Sequence, residues 1–256
     1  MVGGRLRAGV ITVALVITPV AGGATEIGEV VASFPAPAAV PTDLAYGGGY
    51  LYCYCATSPY LIWKVNPANG QVVASYGYPF VGAATAGLAY DGNFFWVGNR
   101  DTDYLYRFKL DGTVLSSFKT TWDFGYGLGW ADLHLWGTEQ LLGRNSYSFY
   151  KMRVDGVVIQ SFSYYYPPYD VAWDGVYLWA CDYNAGSKES RVVALTTSGV
   201  TKEIITAPAA SARGIAYDGA YLWVSTLADG GRLWKINGAG LGLAPASLGR
   251  VKALYR

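Results

Sequence analysis

The chain has 256 residues and a formal net charge of +1, because 19 Lys and Arg residues nearly balance 18 Asp and Glu residues. This balance predicts no electrostatic attraction to nucleic acid or to an anionic lipid surface. Gly and Tyr are abundant, charged residues make up only 14% of the chain, and helical periodicity is nearly absent. Such a composition is typical of many short strands joined by tight turns and favours an all-β fold.

The first segment of the chain is typical of a secretory signal. Arg5 and Arg7 precede an apolar run from Val10 to Val20, and four small residues follow at 21–24. This is the order of a signal peptide, and the run is short for a membrane span, although an uncleaved anchor is the alternative. We therefore expect residues 1–24 to be a signal peptide. Residues 25–256 would then form one secreted or extracellular domain, or a periplasmic one, without a membrane span.

Five similar segments follow along the chain, of which "GLAYDGNFFWVGN" from Gly87 is the clearest. The others begin at Asp43, Gly127, Asp170 and Gly214. Each segment has two alternating apolar runs around a turn, and turns such as Asp91-Gly92 favour the primed types that connect β-hairpins. A third strand follows each hairpin, and a turn Gly and a fourth strand generally come next. Four strands thus recur about every 43 residues.

This period predicts a β-propeller of four-stranded antiparallel blades, because one such unit cannot bury both of its faces alone. A linear solenoid or a sandwich is the alternative. The chain contains five hairpins but six segments that resemble a fourth strand, because "GEVVASF" precedes the first hairpin and "GLAPASLG" follows the last. Pro245 in the latter cannot donate to a strand ladder. We therefore expect five blades closed by Val30 to Phe34, with a short C-terminal segment outside, and consider a six-bladed arrangement less favoured.

The repeated turns and the basic residues of the third strands invite a structural interpretation. Lys64, Arg107, Lys151 and Lys235 occupy similar places in their copies. Turn geometry already accounts for the Asp-Gly pairs. We expect the basic residues to form ion pairs between neighbouring blades.

Few residues are suited to metal or nucleophilic chemistry. The single histidine, His134, falls in a strand, and we expect it to pack between blades. Cys53, Cys55 and Cys181 are an odd number, so at least one is unpaired or bridges to another chain, and burial as small apolar side chains is the expected role. No Cys/His set has zinc spacing, and "NRDTDY" from Asn99 lacks the Gly and Glu of a calcium loop. The sequence predicts no catalytic residue, metal or cofactor.

The repeated inner strand "GL/GI-A-Y/W-D" in five copies resembles the propeller family that includes plant-type and bacterial glutaminyl-peptide cyclotransferases. The resemblance covers nearly all of residues 25–256. In that family a glutamate directly before one "GL" step acts on the amino group of the substrate, and the matching position here is Ala86. The aromatic residue before another "GL" is matched by Tyr126. A second propeller family, similar to virginiamycin B lyase, relies on histidine and a divalent metal, for which a lone His134 is insufficient.

The resemblance implies a site at the mouth of the central channel, formed by residues just before the inner strands. Those residues are Thr42, Ala86, Tyr126, Tyr169 and Arg213, with Asp43 and Asp170 beside them. The ends of the second strands add Asn99, Asp101, Glu139 and Asp182. Such side chains suit a sugar or a peptide terminus through stacking and hydrogen bonds. An ordinary solvated loop surface is the alternative.

The sequence favours a secreted, non-catalytic binding or assembly module with a site for a small molecule, a glycan or a peptide. Self-association and a cell-surface partner are further interpretations. The alternative function is a cyclotransferase-like enzyme whose acid comes from another position, such as Glu139.

Overall fold

The computed structural model describes residues 26–122, 124–140 and 147–238. The predicted signal peptide and the segment from Leu243 to Arg256 lie outside this range. The described chain forms five four-stranded antiparallel sheets, and their inner strands pack side by side in a closed ring. The protein is therefore an all-β, five-bladed propeller, as the repeat predicts. No helix in the described part has the length and apolar character needed to cross a bilayer.

The strands follow one another in chain order from the inside of each blade to the outside. The chain enters with β1 (Val30–Pro35), which belongs to the last blade. The first blade is β2 (Pro41–Gly47), β3 (Tyr50–Cys55), β4 (Ile62–Val65) and β5 (Val72–Tyr76); the second is β6 (Thr85–Tyr90), β7 (Phe95–Asn99), β8 (Tyr104–Phe108) and β9 (Val114–Lys119). The third is β10 (Phe124–Ala131), β11 (His134–Gln140), β12 (Tyr147–Met152) and β13 (Val158–Tyr164). The fourth is β14 (Pro168–Trp173), β15 (Leu178–Asn184), β16 (Glu189–Leu195) and β17 (Thr201–Thr206); the fifth is β18 (Ala212–Tyr217), β19 (Leu222–Thr226), a 3-10 turn (Ala228–Gly230) and β20 (Arg232–Ile236).

The ring closes through its N-terminal strand. β1 pairs antiparallel with β20, and Phe34 lies opposite Leu233. Two further backbone hydrogen bonds extend the pairing, from Gly28 N to Asn237 O (2.7 Å) and from Asn237 N to Glu29 O (2.9 Å). The prediction that Val30 to Phe34 closes the ring is confirmed. The fifth blade thus joins both ends of the described chain.

The inner strands approach each other so closely that side chains are excluded at particular points. A Cβ atom on Gly127 would lie 2.6 Å from the Cα atom of Asp170 in the next blade. A Cβ atom on Gly214 would lie 2.8 Å from the carbonyl carbon of Asp43. Real Cβ atoms do not come this close to backbone, so glycine is required where the inner strands meet.

The core lies between blades and is dominated by four equivalent tryptophans, all fully buried: Trp96, Trp136, Trp179 and Trp223. Three of them donate their indole N–H to the turn aspartate of the same hairpin. The distances to Asp91, Asp174 and Asp218 are 2.9, 2.6 and 2.9 Å. The turn aspartate therefore anchors the core residue as well as the turn.

The repeated basic residues form ion pairs within blades, so the prediction of pairs between blades is wrong. The pairs are Arg107 with Asp91 (2.8 Å), Lys151 with Asp132 (3.1 Å) and Lys235 with Asp218 (3.6 Å). The physical reason is the register. The basic residue of the third strand lies opposite the tryptophan of the second, as Arg107 lies opposite Trp96, and hence beside the acid of the same hairpin turn. In two of the three pairs that acid, Asp91 or Asp218, also binds the tryptophan.

The first blade has no aspartate at its inner hairpin turn, because Gly47 holds the position of Asp91 and the two turn residues are Gly48 and Gly49. Lys64 accordingly lies over the ring of Tyr50, with 3.9 Å between Nζ and the ring centroid. A cation–aromatic contact thus replaces the ion pair in this blade.

The hairpin turns differ from the primed turns that Asp-Gly predicts. In the loop after β6 only Gly92 has a positive φ (96°). The side chain of Asp91 instead accepts the backbone N–H groups of Asn93 and Phe94 at 2.9 and 2.8 Å. Two successive positive φ values, which type I′ turns require, occur at Gly48-Gly49 and at Asp132-Leu133.

The cysteines are buried, as the sequence predicts, and all three are free thiols. The Sγ atoms of Cys53 and Cys55 lie 3.7 Å apart on one side of β3. The burial predicted for His134 is wrong: it is half-exposed, with a ring nitrogen close to the carbonyl oxygen of Asp132. It lies directly across the two-residue turn from Ala131, where the end of the hairpin meets solvent.

Candidate functional site

The inner strands carry two carboxylates and three glycines at one equivalent position. Asp43 and Asp170 stand where the other blades have Gly87, Gly127 and Gly214. The strand register shifts at or next to this position in every blade. Both aspartates are buried, with exposures of 2% and 0%. Their carboxyl groups lie at the centre of the ring.

Asp170 binds inner strands on both sides of its own blade. Its Oδ1 accepts the N–H groups of Leu128 (3.3 Å) and Val171 (2.9 Å). Its Oδ2 accepts those of Leu44 (3.3 Å) and Ile215 (2.9 Å). One side chain of the fourth blade thus connects the first, third and fifth blades.

Asp43 connects the remaining blade. Its Oδ1 accepts the N–H group of Gly87 in the second blade, and its Oδ2 accepts the hydroxyl of Thr42, both at 2.7 Å. Burial raises the pKa of Asp43 to about 7, against the opposing effects of these hydrogen bonds and of Arg100. Burial and the nearby Asp43 together raise the pKa of Asp170 well above its ordinary value. Burial therefore favours the protonated form of both carboxyls more than it would for an exposed aspartate.

A cavity of about 80 Å³ opens at the mouth of the channel, next to Asp43. Its lining comes from the first residues of the inner strands, which the sequence pattern placed just before those strands, and from loops beside them: Thr42, Asp43, Ala56, Ala83, Thr85, Ala86, Arg100, Tyr126, Tyr169 and Arg213. All five blades contribute to this wall. Ala86 is one of its buried members.

Two arginines and two tyrosines form a row around the mouth. The rings of Tyr126 and Tyr169 are 5.8 Å apart between centroids and tilted by 57°. The guanidinium carbon of Arg100 lies 4.4 Å from the Tyr126 centroid, and that of Arg213 lies 3.7 Å from the Tyr169 centroid. All four side chains are half-buried. The cavity therefore has two cations in fixed positions on aromatic faces.

The N–H groups of these arginines are almost unused. The Nε atom of Arg100 is buried and has no hydrogen-bond partner among the described residues. The side chain of Arg213 makes one long hydrogen bond, from Nη1 to its neighbour Ala212 O at 3.4 Å. Within the described ranges, neither arginine forms an ion pair with a carboxylate. The mouth thus presents free donors to whatever enters it.

The structure brings together some of the residues named from the sequence and separates others. Those that line the cavity are Thr42, Asp43, Tyr126, Tyr169 and Arg213, and Asp170 lies at the centre of the ring. The residues from the ends of the second strands do not line it. Asn99 accepts backbone N–H groups of its own turn, Glu139 accepts the hydroxyl of Tyr150 at 2.9 Å, and Asp101 is exposed.

Asp182 also has a structural role. It is fully buried and accepts two hydrogen bonds from Arg191, at 2.8 and 2.6 Å, and one from the hydroxyl of Tyr164. Its carboxylate is thereby paired with a cation of the fourth blade, Arg191, and hydrogen-bonded to Tyr164 of the third blade.

Sequence reasoning missed Arg100, which follows β7 directly. Both of its neighbours, Asn99 and Asp101, were candidates. Arg100 lies in the turn after β7, where strand alternation does not predict the direction of a side chain, so its position along the chain carries no signal for the channel side. Thr85 was missed as well; its hydroxyl accepts the N–H group of Gly82 at 2.7 Å and shapes the loop beside the cavity.

No protein-family model and no curated protein sequence matches this chain. Among solved structures, its fold is similar to glutaminyl cyclase from Myxococcus xanthus, with a TM-score of 0.63 and 15% identity over 82% of this chain and 95% of that one. It is also similar to a chain of a nidogen–laminin complex, with a TM-score of 0.52 and 19% identity over 74% and 73% of the two chains. A virginiamycin B lyase from Staphylococcus aureus gives a TM-score of 0.47 and 18% identity, over 79% and 68%. At these identities the likeness shows the propeller fold alone.

Proposed function

We propose that this protein is a secreted, non-catalytic binding module whose ligand places a small end group in the cavity at the channel mouth. The observation that carries the proposal is the convergence of Tyr126, Tyr169 and Arg213 from three different blades on one concave site. Concave sites with aromatic walls and a few polar groups are the usual places where small ligands bind.

The size of the cavity favours one of the ligand classes that the sequence leaves open. A cavity of about 150 Å³ can hold one benzene molecule, and this one measures about 80 Å³. A whole sugar ring is larger than benzene and would remain outside. A peptide terminus or a similar end group fits, with the rest of the ligand lying over the mouth.

Peptides with defined ends test this proposal. A set of labelled peptides is prepared with free or blocked N- and C-termini, and binding is measured by fluorescence polarisation for the wild type and for Tyr169→Ala. We expect one class of end to bind the wild type and to lose affinity in the variant. Tyr221→Ala is the matched control, because Tyr221 lies in the β18–β19 loop at the opposite end of the fifth blade. If no peptide of the set binds the wild type, whichever of its ends is free, the proposal is refuted.

A cyclotransferase-like enzyme is the second candidate, and one observation favours it. The carboxyl of Asp43 lines the cavity and has a pKa of about 7, which suits a general acid or base at neutral pH. Such a group would take the part of the family's glutamate, whose position holds Ala86. Glu139, the acid considered from the sequence, is buried and bound to Tyr150.

Activity is tested by incubating the purified protein with a peptide that begins with glutamine. Mass spectrometry follows the loss of ammonia, with heat-denatured protein as the control for spontaneous cyclisation. Turnover above that control would establish the enzyme and overturn the non-catalytic function.

A further inference from the structure

We propose that the end group bound at the channel mouth is a carboxylate, held by Arg100 and Arg213. The inference rests on the proposed binding function and specifies its ligand class. It starts from the order of side chains around the mouth. Consecutive blades, from the second to the fifth, contribute Arg100, Tyr126, Tyr169 and Arg213. The first blade, which completes the circle between the two arginines, contributes Asp43 and Thr42, whose hydroxyl donates to the Asp43 carboxyl.

Stacking orients both guanidinium groups without using their hydrogen bonds. The N–H groups of a guanidinium lie in its plane, so a ring against its face leaves them available. This is the case for both arginines, at 4.4 and 3.7 Å from their rings. Nε of Arg100 is itself buried, so the terminal Nη groups of the two arginines are the donors that an incoming group can reach. The site is therefore prearranged for an incoming acceptor.

The donors point to a planar anion. A guanidinium presents a rigid fork of N–H groups that matches a carboxylate or a phosphate. The wall between the two arginines is formed by the rings of Tyr126 and Tyr169, and the volume is about 80 Å³. A flat carboxylate of three heavy atoms fits such a space better than a tetrahedral phosphate of five.

The carboxyl of Asp43 also lines the cavity, and it repels a bound anion only when it is ionised. Its two oxygens accept hydrogen bonds from Gly87 N–H and the Thr42 hydroxyl. The charged or titratable groups that act on it or respond to it are Arg100, Asp170, Tyr54 and Cys53. Since burial raises the pKa of Asp43 to about 7, the group is mostly neutral at pH 6. Carboxylate affinity should consequently be higher at pH 6 than at pH 8.

The test compares three small probes on the folded protein: acetate, its neutral analogue acetamide, and inorganic phosphate. Binding is followed at constant ionic strength by NMR shifts of the tyrosine and arginine side chains. We expect acetate to bind weakly, with a dissociation constant of about a millimolar, and acetamide and phosphate not to bind. Equal binding of acetamide, stronger binding of phosphate, or no response to acetate would each overturn the carboxylate assignment.

Arginine variants locate the bound probe. Arg100→Gln and Arg213→Gln should each weaken acetate binding about tenfold or more, as the loss of a charge-assisted hydrogen bond does. Arg213→Lys should retain part of the affinity, because it keeps the charge and loses the fork. Arg153→Gln is the control: it removes the same charge from an exposed pair with Asp155 and should leave binding unchanged. Equal losses in all the glutamine variants would indicate a general charge effect and overturn the assignment.

The same preparations separate this inference from the binding function itself. Peptides are compared as C-terminal acids and as C-terminal amides. Binding of the acids alone supports the carboxylate, whereas equal binding of the amides, or recognition of N-termini, overturns the carboxylate and leaves the binding module in place. Melting curves of each variant show that it is folded before it is titrated.

Discussion

Replacing Asp170 with alanine should strongly destabilise the propeller, because one carboxyl connects four blades. Two of its hydrogen bonds, from Val171 and Ile215, are 2.9 Å long, and two, from Leu44 and Leu128, are 3.3 Å long. A buried N–H group that loses its acceptor costs about 1–3 kcal/mol. The two short bonds alone then predict a loss of about 2–6 kcal/mol in the free energy of unfolding. That is a large part of the 5–15 kcal/mol typical of a domain.

The assay is equilibrium unfolding in urea, followed by tryptophan fluorescence at pH 5. Acidic pH is chosen because burial and the nearby Asp43 raise the pKa of Asp170, which favours its neutral form and makes hydrogen-bond loss the larger part of the effect. Asp170→Asn retains one acceptor oxygen and the shape of the side chain, and should lose less than Asp170→Ala. Asp101→Ala, at an exposed position, should stay within about 0.5 kcal/mol of the wild type. A loss below about 1 kcal/mol in Asp170→Ala would show that water or backbone shifts replace the carboxyl.

The remaining predictions concern pH, closure, the mouth and the core. The pKa of Asp43 is about 7 in the folded protein against an ordinary 3.8. The folded state therefore binds more protons between these values, and urea unfolding should give a lower free energy of unfolding at pH 8 than at pH 5; a rise would contradict the assignment. Deleting residues 26–35 should expose the edge of β20 and produce aggregation or strand exchange in size-exclusion chromatography, whereas a monodisperse monomer would show that another segment closes the ring. Tyr126→Ala should weaken ligand binding by about 1–3 kcal/mol at an unchanged melting temperature. Trp223→Ala should instead cost about 3–5 kcal/mol of stability with the mouth intact, and the opposite pattern in these two variants would place the site between blades.

Much of the fold follows from the sequence because its signals are local. A hairpin, a third strand and a turn glycine recur with one period, and stacking is the only way for such units to bury both faces. Closure by β1 follows from a single residue, since Pro245 makes the competing segment a poor partner in a ladder. The detailed turn geometry does not follow, because Asp91 acts through its side chain and not through its own φ angle.

The candidate site is only partly predictable, and the reason is again physical. Tyr126, Tyr169 and Arg213 hold equivalent positions, so the symmetry of the ring brings them to one place. Residues at strand ends obey no such rule, because local partners compete for them. Asp182 is thus taken up by Arg191, while Arg100 reaches the mouth through the path of its loop. The occurrence of Asp in two blades and Gly in three at the equivalent inner-strand position does not reveal that Asp170 accepts hydrogen bonds from three other blades.

The centre of the ring limits how alike the five repeats can become. The carboxyls of two blades, at equivalent positions, accept hydrogen bonds from backbone N–H groups of all five blades. Glycines at that position in the other three blades allow neighbouring strands to approach closely. Five copies with aspartate would crowd five acids into a channel whose two acids already resist ionisation. Five copies with glycine would leave the N–H groups that Asp43 and Asp170 bind without these acceptors. A ring built from five copies of either kind of blade would therefore be less stable at its axis than this one, and the difference between the copies contributes to the stability of the closed ring.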